Sequence, residues 1–368
     1  MGLGGNDTMQ AMDLSVRVSV DSRVVDEQLR GMPADLLRGP FQQASWVDAW
    51  LATRAEARPA MALAVVSDRA TGAPLFVLPL MLDVRSGVPC WTALDDGVAD
   101  YNAPLFARDF DPPTQTMRWI WARILDQLPK GDLVFLEKIP DRVAGRRNPM
   151  LELARPAPSR FRRHPLALVD GIAAVRARYR AGRTLARKRR KLCRKGHLDF
   201  VVLDGTAAVP ELERLMTWRG RRYDTRPITT DFYGRLLRDT DMARLGLLRL
   251  DGEVISGCFS VVADDAVRLL VVAFDERWKN WSPGLLAIDD MIGWTAAEGY
   301  AEFDFTIGSE PYKFDFGVAT EPLWEIRESL RLRGSLMLSL LGARRVAAAL
   351  ARRTLPGFGA APARPLEG

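Results

Sequence analysis

Ser282, Pro283 and Gly284 have the makings of a helix start. Serine is a favoured N-cap, proline is favoured at the first helical position, and glycine lets another group approach the backbone closely. A helix N-terminus with unspent N–H groups holds anions, pyrophosphate among them. Ser282, Pro283, Gly284 and Leu285 are therefore candidate binding positions for a coenzyme A-type donor, although an ordinary capped helix reads the same way. A second feature points to anions as well. Between Gly171 and Leu198 stand Arg176, Arg178, Arg180, Arg183, Arg187, Lys188, Arg189, Arg190, Lys191, Arg194 and Lys195, with no acidic residue among them. Such a run destabilises a helix by i, i+4 repulsion unless an anion answers it; the bland reading is a solvated helix. Asp96, Asp100, Tyr101 and Asn102 form a polar cluster that suits hydroxyls or an amine of an acceptor, or simply a solvated turn. His197 titrates in the range of a general base, but it follows the basic run directly and reads as a surface residue.

The elements that must position these groups follow from hydrophobic pattern. Arg268 to Phe274 is a β-branched and aromatic run suited to a strand buried on both faces. Leu285, Leu286, Ile288, Met291, Ile292 and Trp294 give the next helix its buried stripe, and Glu298-Gly299 ends it. Ala301 to Thr306 alternates apolar and acidic residues as a strand does. Upstream, Leu245–Leu250 and Val254–Val262 are strand-like and joined by Asp251-Gly252, a hairpin dipeptide. The order is a three-stranded meander feeding a β-α-β unit.

That order, with SPG at the helix start and FDFTIGSEPYKFDFG after it, resembles the GNAT superfamily of N-acyltransferases. It is most similar to the branch of polysaccharide-associated proteins called the CelD/BcsL family after cellulose biosynthesis, related to Fem-type peptidyltransferases. The resemblance covers roughly residues 165 to 330. It implies attack of an amine, or less often a hydroxyl, on the thioester of acetyl-coenzyme A or another acyl-coenzyme A. Such a reaction needs positioning, an oxyanion donor, removal of a proton and protonation of the leaving thiolate. By the resemblance, a backbone N–H within Val271, Val272 and Ala273 polarises the carbonyl. Asp304, at the FD position, is the first choice for base or acceptor anchor and Glu310 the second. Tyr312 would hand a proton to the thiolate, and Lys313 would hold an anionic substrate; the alternative is that Tyr312 packs and Lys313 lies on the surface. Asp100 and Tyr101 complete the substrate-binding candidates.

The N-terminal half shows the same order: a helix carrying Trp46, Val47, Trp50 and Leu51 with Ser45 as cap, strands at Ala62–Ser67, Pro74–Val84 and near Trp91, a helix at Pro112–Leu128 and a strand at Asp132–Ile139. This resembles the tandem arrangement of the Fem-type proteins. The expected fold is α/β, with tandem GNAT-like domains, each a mixed, largely antiparallel sheet flanked by helices. The expected boundaries are 1–145 for a degenerate first domain that shapes an acceptor groove, 146–165 for a Pro- and Arg-rich linker, 166–334 for the catalytic domain, and 335–368 for an amphipathic basic helix and a disordered tail. That last helix could lie on an anionic membrane or dock on the protein itself.

Composition bounds the alternatives. The 368 residues are 48% hydrophobic and 27% charged, with net charge +6, as in globular proteins that tolerate anionic partners. Of the basic residues 45 are Arg and 7 Lys, which suggests a high-GC bacterial genome. Cys90, Cys193 and Cys258 form no CxxC pair, and with His164 and His197 they make neither a disulfide framework nor a metal site. No secretory signal pattern and no membrane-spanning run is read, so a cytoplasmic location is expected, with peripheral contact at the inner face of a membrane. Two rivals stay open. One is an aminoacyl-tRNA donor, disfavoured because the basic run carries one aromatic, Tyr179, and not the series of stacking aromatics that a single-stranded RNA site wants. The other is a non-catalytic assembly factor of an exopolysaccharide machine.

Overall fold

The structure is a computed structural model describing residues 13–54, 58–153, 156–222 and 226–340. Two sets of residues each gather around their own core. The first comprises Met1–Arg38, Arg58–Pro158 and Trp324–Gly368, and the second Gly39–Ala57 and Ser159–Leu323. In chain order, the N-terminal elements are β1 (Leu14–Ser19), α1 (Ser22–Arg30), α2 (Ala44–Thr53), β2 (Met61–Asp68), β3 (Pro74–Arg85), β4 (Val88–Ala93), β5 (Leu105–Phe106), α3 (Thr114–Gln127), β6 (Leu133–Ile139), β7 (Arg142–Val143) and β8 (Arg146–Arg147). After β9 (Ala157–Arg163) come β10 (Pro165–Ala167), α4 (Ile172–Ala177), α5 (Gly182–Cys193), β11 (Leu198–Leu203), α6 (Val209–Gly220), α7 (Pro227–Asp239), β12 (Ala243–Leu250), β13 (Glu253–Ala263), β14 (Ala266–Phe274), α8 (Pro283–Ala297), β15 (Glu302–Asp304) and β16 (Glu321–Ser329).

In the first unit β1, β2, β3 and β4 pair antiparallel in sequence. After α3, β6 lies parallel to β4, with Cys90 opposite Leu133 and Trp91 opposite Val134. Trp324–Ser329 of β16 then closes the other edge of β6, antiparallel. The buried stripe of α3, Met117, Ile120, Trp121 and Ile124, enters a core shared with Ala64, Phe76, Leu80, Trp91 and Leu136.

The second unit repeats this plan. Its sheet runs β10-β15-β14-β13-β12-β11. β12, β13 and β14 form an antiparallel meander, and β15, reached through α8, lies parallel to β14. Asp251 and Gly252, at φ 51° and 82°, make the β12–β13 hairpin turn with both central residues left-handed, as the dipeptide demands. α8 is buried through Leu286, Ile288, Met291 and Ile292. The mixed α/β architecture with two meander-helix-strand copies thus matches the sequence expectation.

Three boundaries differ from it. α2 falls in the first half of the sequence but belongs to the second unit: Trp46 packs edge-on against Phe232 of α7 at 4.8 Å between centroids, and both rings are fully buried. Periodicity shows that a helix has an apolar stripe but not which core the stripe enters. Ser45 does not cap α2; the N-cap is Gln43, without a side-chain bond, and the Ser45 hydroxyl faces the Met242 sulfur. Residues 146–165 are no linker. They hold β8, β9, the start of β10 and a 3₁₀ turn at Pro149–Glu152, and Met150 and Leu153 are buried in the first core. Nor does the C-terminal part of the unit run to residue 334, because the chain rejoins the first unit at Trp324. Of the expected C-terminal helix, residues 332–340 are helical and the rest lies outside the described residues, as do residues 1–12.

Candidate active site

β14 is the axis of the second unit. Its pairing with β13 reaches Phe274, opposite Ser256. Its pairing with β15 stops after three residues: Ala266 with Glu302, Val267 with Phe303 and Arg268 with Asp304. Beyond Arg268 the two parallel strands part, leaving the edge of Leu269–Phe274 without a strand neighbour on that side. The β13 register skips there as well: Val271 lies opposite Phe259, and Leu269 opposite Ser260, so Leu270 is the extra residue of a β-bulge. A bulge interrupts the ladder and re-aims the backbone groups beside it. Val271, Val272 and Ala273, expected to polarise a carbonyl, stand just past it.

The far wall of the gap is the turn after β15. Thr306 adopts φ 57°, a strained conformation for a β-branched residue. Its hydroxyl donates to the Leu269 carbonyl at 3.1 Å and its N–H to the Asp304 carboxylate at 2.9 Å. The other Asp304 oxygen lies 3.3 Å from the Arg163 guanidinium, which also pairs with Glu302 and Glu321. Asp304 is 0% exposed. It is therefore the anchor of a strained turn, inaccessible to an acceptor, and the expectation of a base at this position is corrected. Burial pushes the neighbouring Glu302 carboxyl up, against the pull of Arg163.

Lys313 departs from expectation in the same way. It is 3% exposed, and its ammonium donates to the carbonyls of Phe305 and Ile307 and pairs with Glu310 at 3.0 Å. It pins the loop instead of offering a charge to a substrate. Glu310 keeps a side chain 44% exposed, its carboxylate lying over Gly308, where any Cβ would stand 2.5 Å from an oxygen. Tyr312 is half-buried, its ring tilted against Phe305 at 6.4 Å. His164 is buried against Phe314, with Nδ1 facing the Thr320 hydroxyl; burial, reinforced by Lys313, pushes its pKa down.

The start of α8 is only partly as read. Pro283 is in the first turn, but Ser282 is left-handed, at φ 50°, and its side chain does not cap. Its hydroxyl instead accepts from the Lys188 ammonium of α5. The Leu285 and Leu286 amides both close onto the Ser282 carbonyl, so the Leu285 donor is spent inside the helix. Gly284 serves packing: a Cβ there would lie 3.2 Å from the Phe274 ring and 3.5 Å from Val272. Its small size lets α8 approach the end of β14.

α5 flanks this helix start, and the basic run turns out to be partly answered from α8. Arg189 reaches Asp290 at 2.7 Å and Asp289 at 3.2 Å, and Arg176 pairs with Asp289 at 2.8 Å. Burial pushes Asp290 up while Arg189 opposes it. The Lys195 ammonium sits 5.2 Å from the Trp281 ring centroid. Arg183, Arg187, Arg190, Lys191 and Arg194 form no ion pair among the described residues and face outward. His197 is exposed, as expected.

Asp100 and Tyr101 stand in the first unit, in a built loop and not a solvated turn. Tyr101 is buried, and Asn102 donates to Asp95 and to the Glu137 carbonyl. The Lys138 ammonium pairs with Asp95 at 2.6 Å and donates to the Ala99 carbonyl. Among the described residues no cluster of three His, Cys, Asp or Glu is placed to hold a metal.

Residues 177–314 match the model of the acetyltransferase (GNAT) domain. No curated protein matches the chain. Among solved structures, FemX is similar over 84% of this chain and 96% of its own, at 13% identity and TM-score 0.55. L-PGS from Bacillus licheniformis is similar over 74% and 86% at 12% identity and TM-score 0.46. A tandem GNAT protein from the clavulanic acid biosynthesis pathway is similar over 85% and 98% at 13% identity and TM-score 0.45. The likeness to FemX, at so low an identity, speaks to fold alone. With β14 parting from β15 on one side and bulging against β13 on the other, the second unit has the fold of a GNAT acetyltransferase domain.

Proposed function

We propose that the second unit is an N- or O-acyltransferase that moves an acyl group from a coenzyme A thioester to an amine or hydroxyl of a sugar, lipid-linked glycan or similar small acceptor in polysaccharide or envelope biosynthesis. The observation that carries this reading is the parting of β14 from β15 beyond Arg268. It leaves a strand edge that an extended, amide-bearing donor arm can line, as an added strand would. The donor phosphates would meet the start of α8 and Lys188, whose only polar partner among the described residues is the Ser282 hydroxyl.

In the reaction the acceptor nitrogen or oxygen attacks the thioester carbonyl carbon, and the carbonyl electrons move onto oxygen. A backbone N–H within Val271–Ala273 stabilises that oxyanion. Collapse breaks the C–S bond, and the thiolate takes a proton from Tyr312. With Asp304 buried, Glu310 is the carboxylate left to accept the acceptor's proton. The CelD/BcsL setting rests on the resemblance of the SPG and FDFTIGSEPYKFDFG segments.

Calorimetric titration with acetyl-coenzyme A, a long-chain acyl-coenzyme A, coenzyme A and aminoacyl-tRNA tests the reading. Binding of an acyl-coenzyme A supports it and sets the donor class. Salt-sensitive binding of the tRNA alone replaces the donor. Silence with all four leaves the assembly-factor reading.

A further inference from the structure

Residues 332–340 form a helix whose two faces differ sharply. Met337 and Leu338 pack against Cys90, Leu133 and Phe135 of the first unit. Gly334 is buried so close to the Asp132 carbonyl that a Cβ would stand 1.9 Å from its oxygen. These contacts fix which way the helix is turned. Leu332, Leu336 and Leu340, at i, i+4 and i+8, are then 84%, 66% and 66% exposed, one aligned apolar stripe directed away from the protein. Isolated exposed leucines are ordinary, but an aligned row of three on one helix face marks an interaction surface.

The charge around the stripe is of one sign. Arg331 and Arg333 flank Leu332, Lys130 is exposed beside them along a shared cavity, and Arg333 pairs only loosely, at 3.9 Å, with the buried Asp132. From Leu330 to Leu366 the sequence carries seven arginines, Arg331, Arg333, Arg344, Arg345, Arg352, Arg353 and Arg364, and no Asp or Glu. No helix among the described residues is long and apolar enough to cross a membrane. Leucines on one face, arginines beside them and no acid suit a helix lying in the plane of a bilayer interface, with its apolar row in the acyl boundary and its cations among headgroup phosphates.

We infer that the helix over residues 332–340 docks the protein onto an anionic phospholipid surface through Leu332, Leu336 and Leu340. The occupant is a bilayer bearing net negative headgroups, chosen by the charge complementarity of the arginine-only segment.

The test is co-sedimentation of the full chain with vesicles of phosphatidylglycerol and, separately, of phosphatidylcholine. Binding to the anionic vesicles is expected, weakening as salt rises. The triple variant Leu332→Ser, Leu336→Ser, Leu340→Ser should lose at least about tenfold in partitioning with an unchanged melting temperature. Arg331→Gln and Arg333→Gln should each cost about fivefold. Ser339→Leu, which widens the stripe, should raise binding to the anionic vesicles with an unchanged melting temperature and no pelleting in their absence. Absence of binding, equal binding to both vesicle types, or undiminished binding of the triple variant overturns the inference. So does a dimer that the leucine substitutions dissociate and that ignores vesicles, because the stripe would then belong to a second copy.

Discussion

Two carboxylates lie six residues apart near the end of β15, and burial gives them opposite duties. Asp304 is sealed between Arg163 and the Thr306 N–H, so Asp304→Ala should cost about 2 kcal/mol by leaving that buried N–H without its acceptor. Asp304→Asn keeps an acceptor for Thr306 and should cost less, with acyl transfer per folded molecule largely retained. Thermal unfolding and kcat measured on both variants decide this. Glu310 is 44% exposed but pairs with the buried Lys313, and Glu310→Gln should lower kcat about a hundredfold while the melting temperature falls by a few degrees as that ammonium loses its anion. An inactive Asp304→Asn beside an active Glu310→Gln would reverse the assignment. His164 sets a pH limit on stability. Its folded pKa is lowered, so the unfolded chain binds the proton more readily. Stability is complete above the ordinary value of 6.5 and is lost as pH falls from there toward the lowered folded value. A His164→Gln variant, melted across the same pH range, should show a shallower decline. The residue types at these sites were visible in the sequence, but their roles were not: a motif containing Asp304 and Lys313 says nothing of which side chain is sealed and which is open.

At the level of elements, the meander, α8 and β15 were legible because strand alternation, the Asp251-Gly252 hairpin and the SPG helix start are local signals. α6, α7 and β11 were not read from the pattern. The contacts between α5 and α8 were hidden for another reason: Arg189 and its partners Asp289 and Asp290 lie about a hundred residues apart, and only folding brings them together. Replacing Arg189 by Ala leaves two adjacent carboxylates, one of them raised by burial. The partly exposed site should then lose about 1–2 kcal/mol at neutral pH, read as a fall in denaturant midpoint. Less should be lost in acid, where Asp290 takes up a proton. Gly284 shows how a correct residue can carry the wrong reason. If it only cleared room for donor phosphates, a bulky replacement would block them and spare the fold. The contacts with Phe274 and Val272 instead predict a destabilised protein, so Lys188→Ala, a change at the surface of α5, is the cleaner probe of donor affinity.

Across the whole molecule the meander-helix-strand plan occurs twice, but its two copies are not equivalent. Both copies part from their parallel neighbour after two or three paired residues, but β4 runs in register with β3 throughout, whereas β14 carries the bulge at Leu270. The repeat was legible because both copies keep the same order of hydrophobic segments. The exchange of α2 and β16 between units was not, since no local pattern records which core a segment joins. One donor site per chain follows, and a calorimetric stoichiometry near two would refute it. The most direct test is backbone hydrogen exchange with and without saturating acyl-coenzyme A. Protection is predicted at Leu269–Phe274 and at the first turn of α8, with the copy at β4 and α3 unaffected. Donor binding with protection confined to β4 and α3, or with none in either copy, would contradict a donor site between β14 and β15.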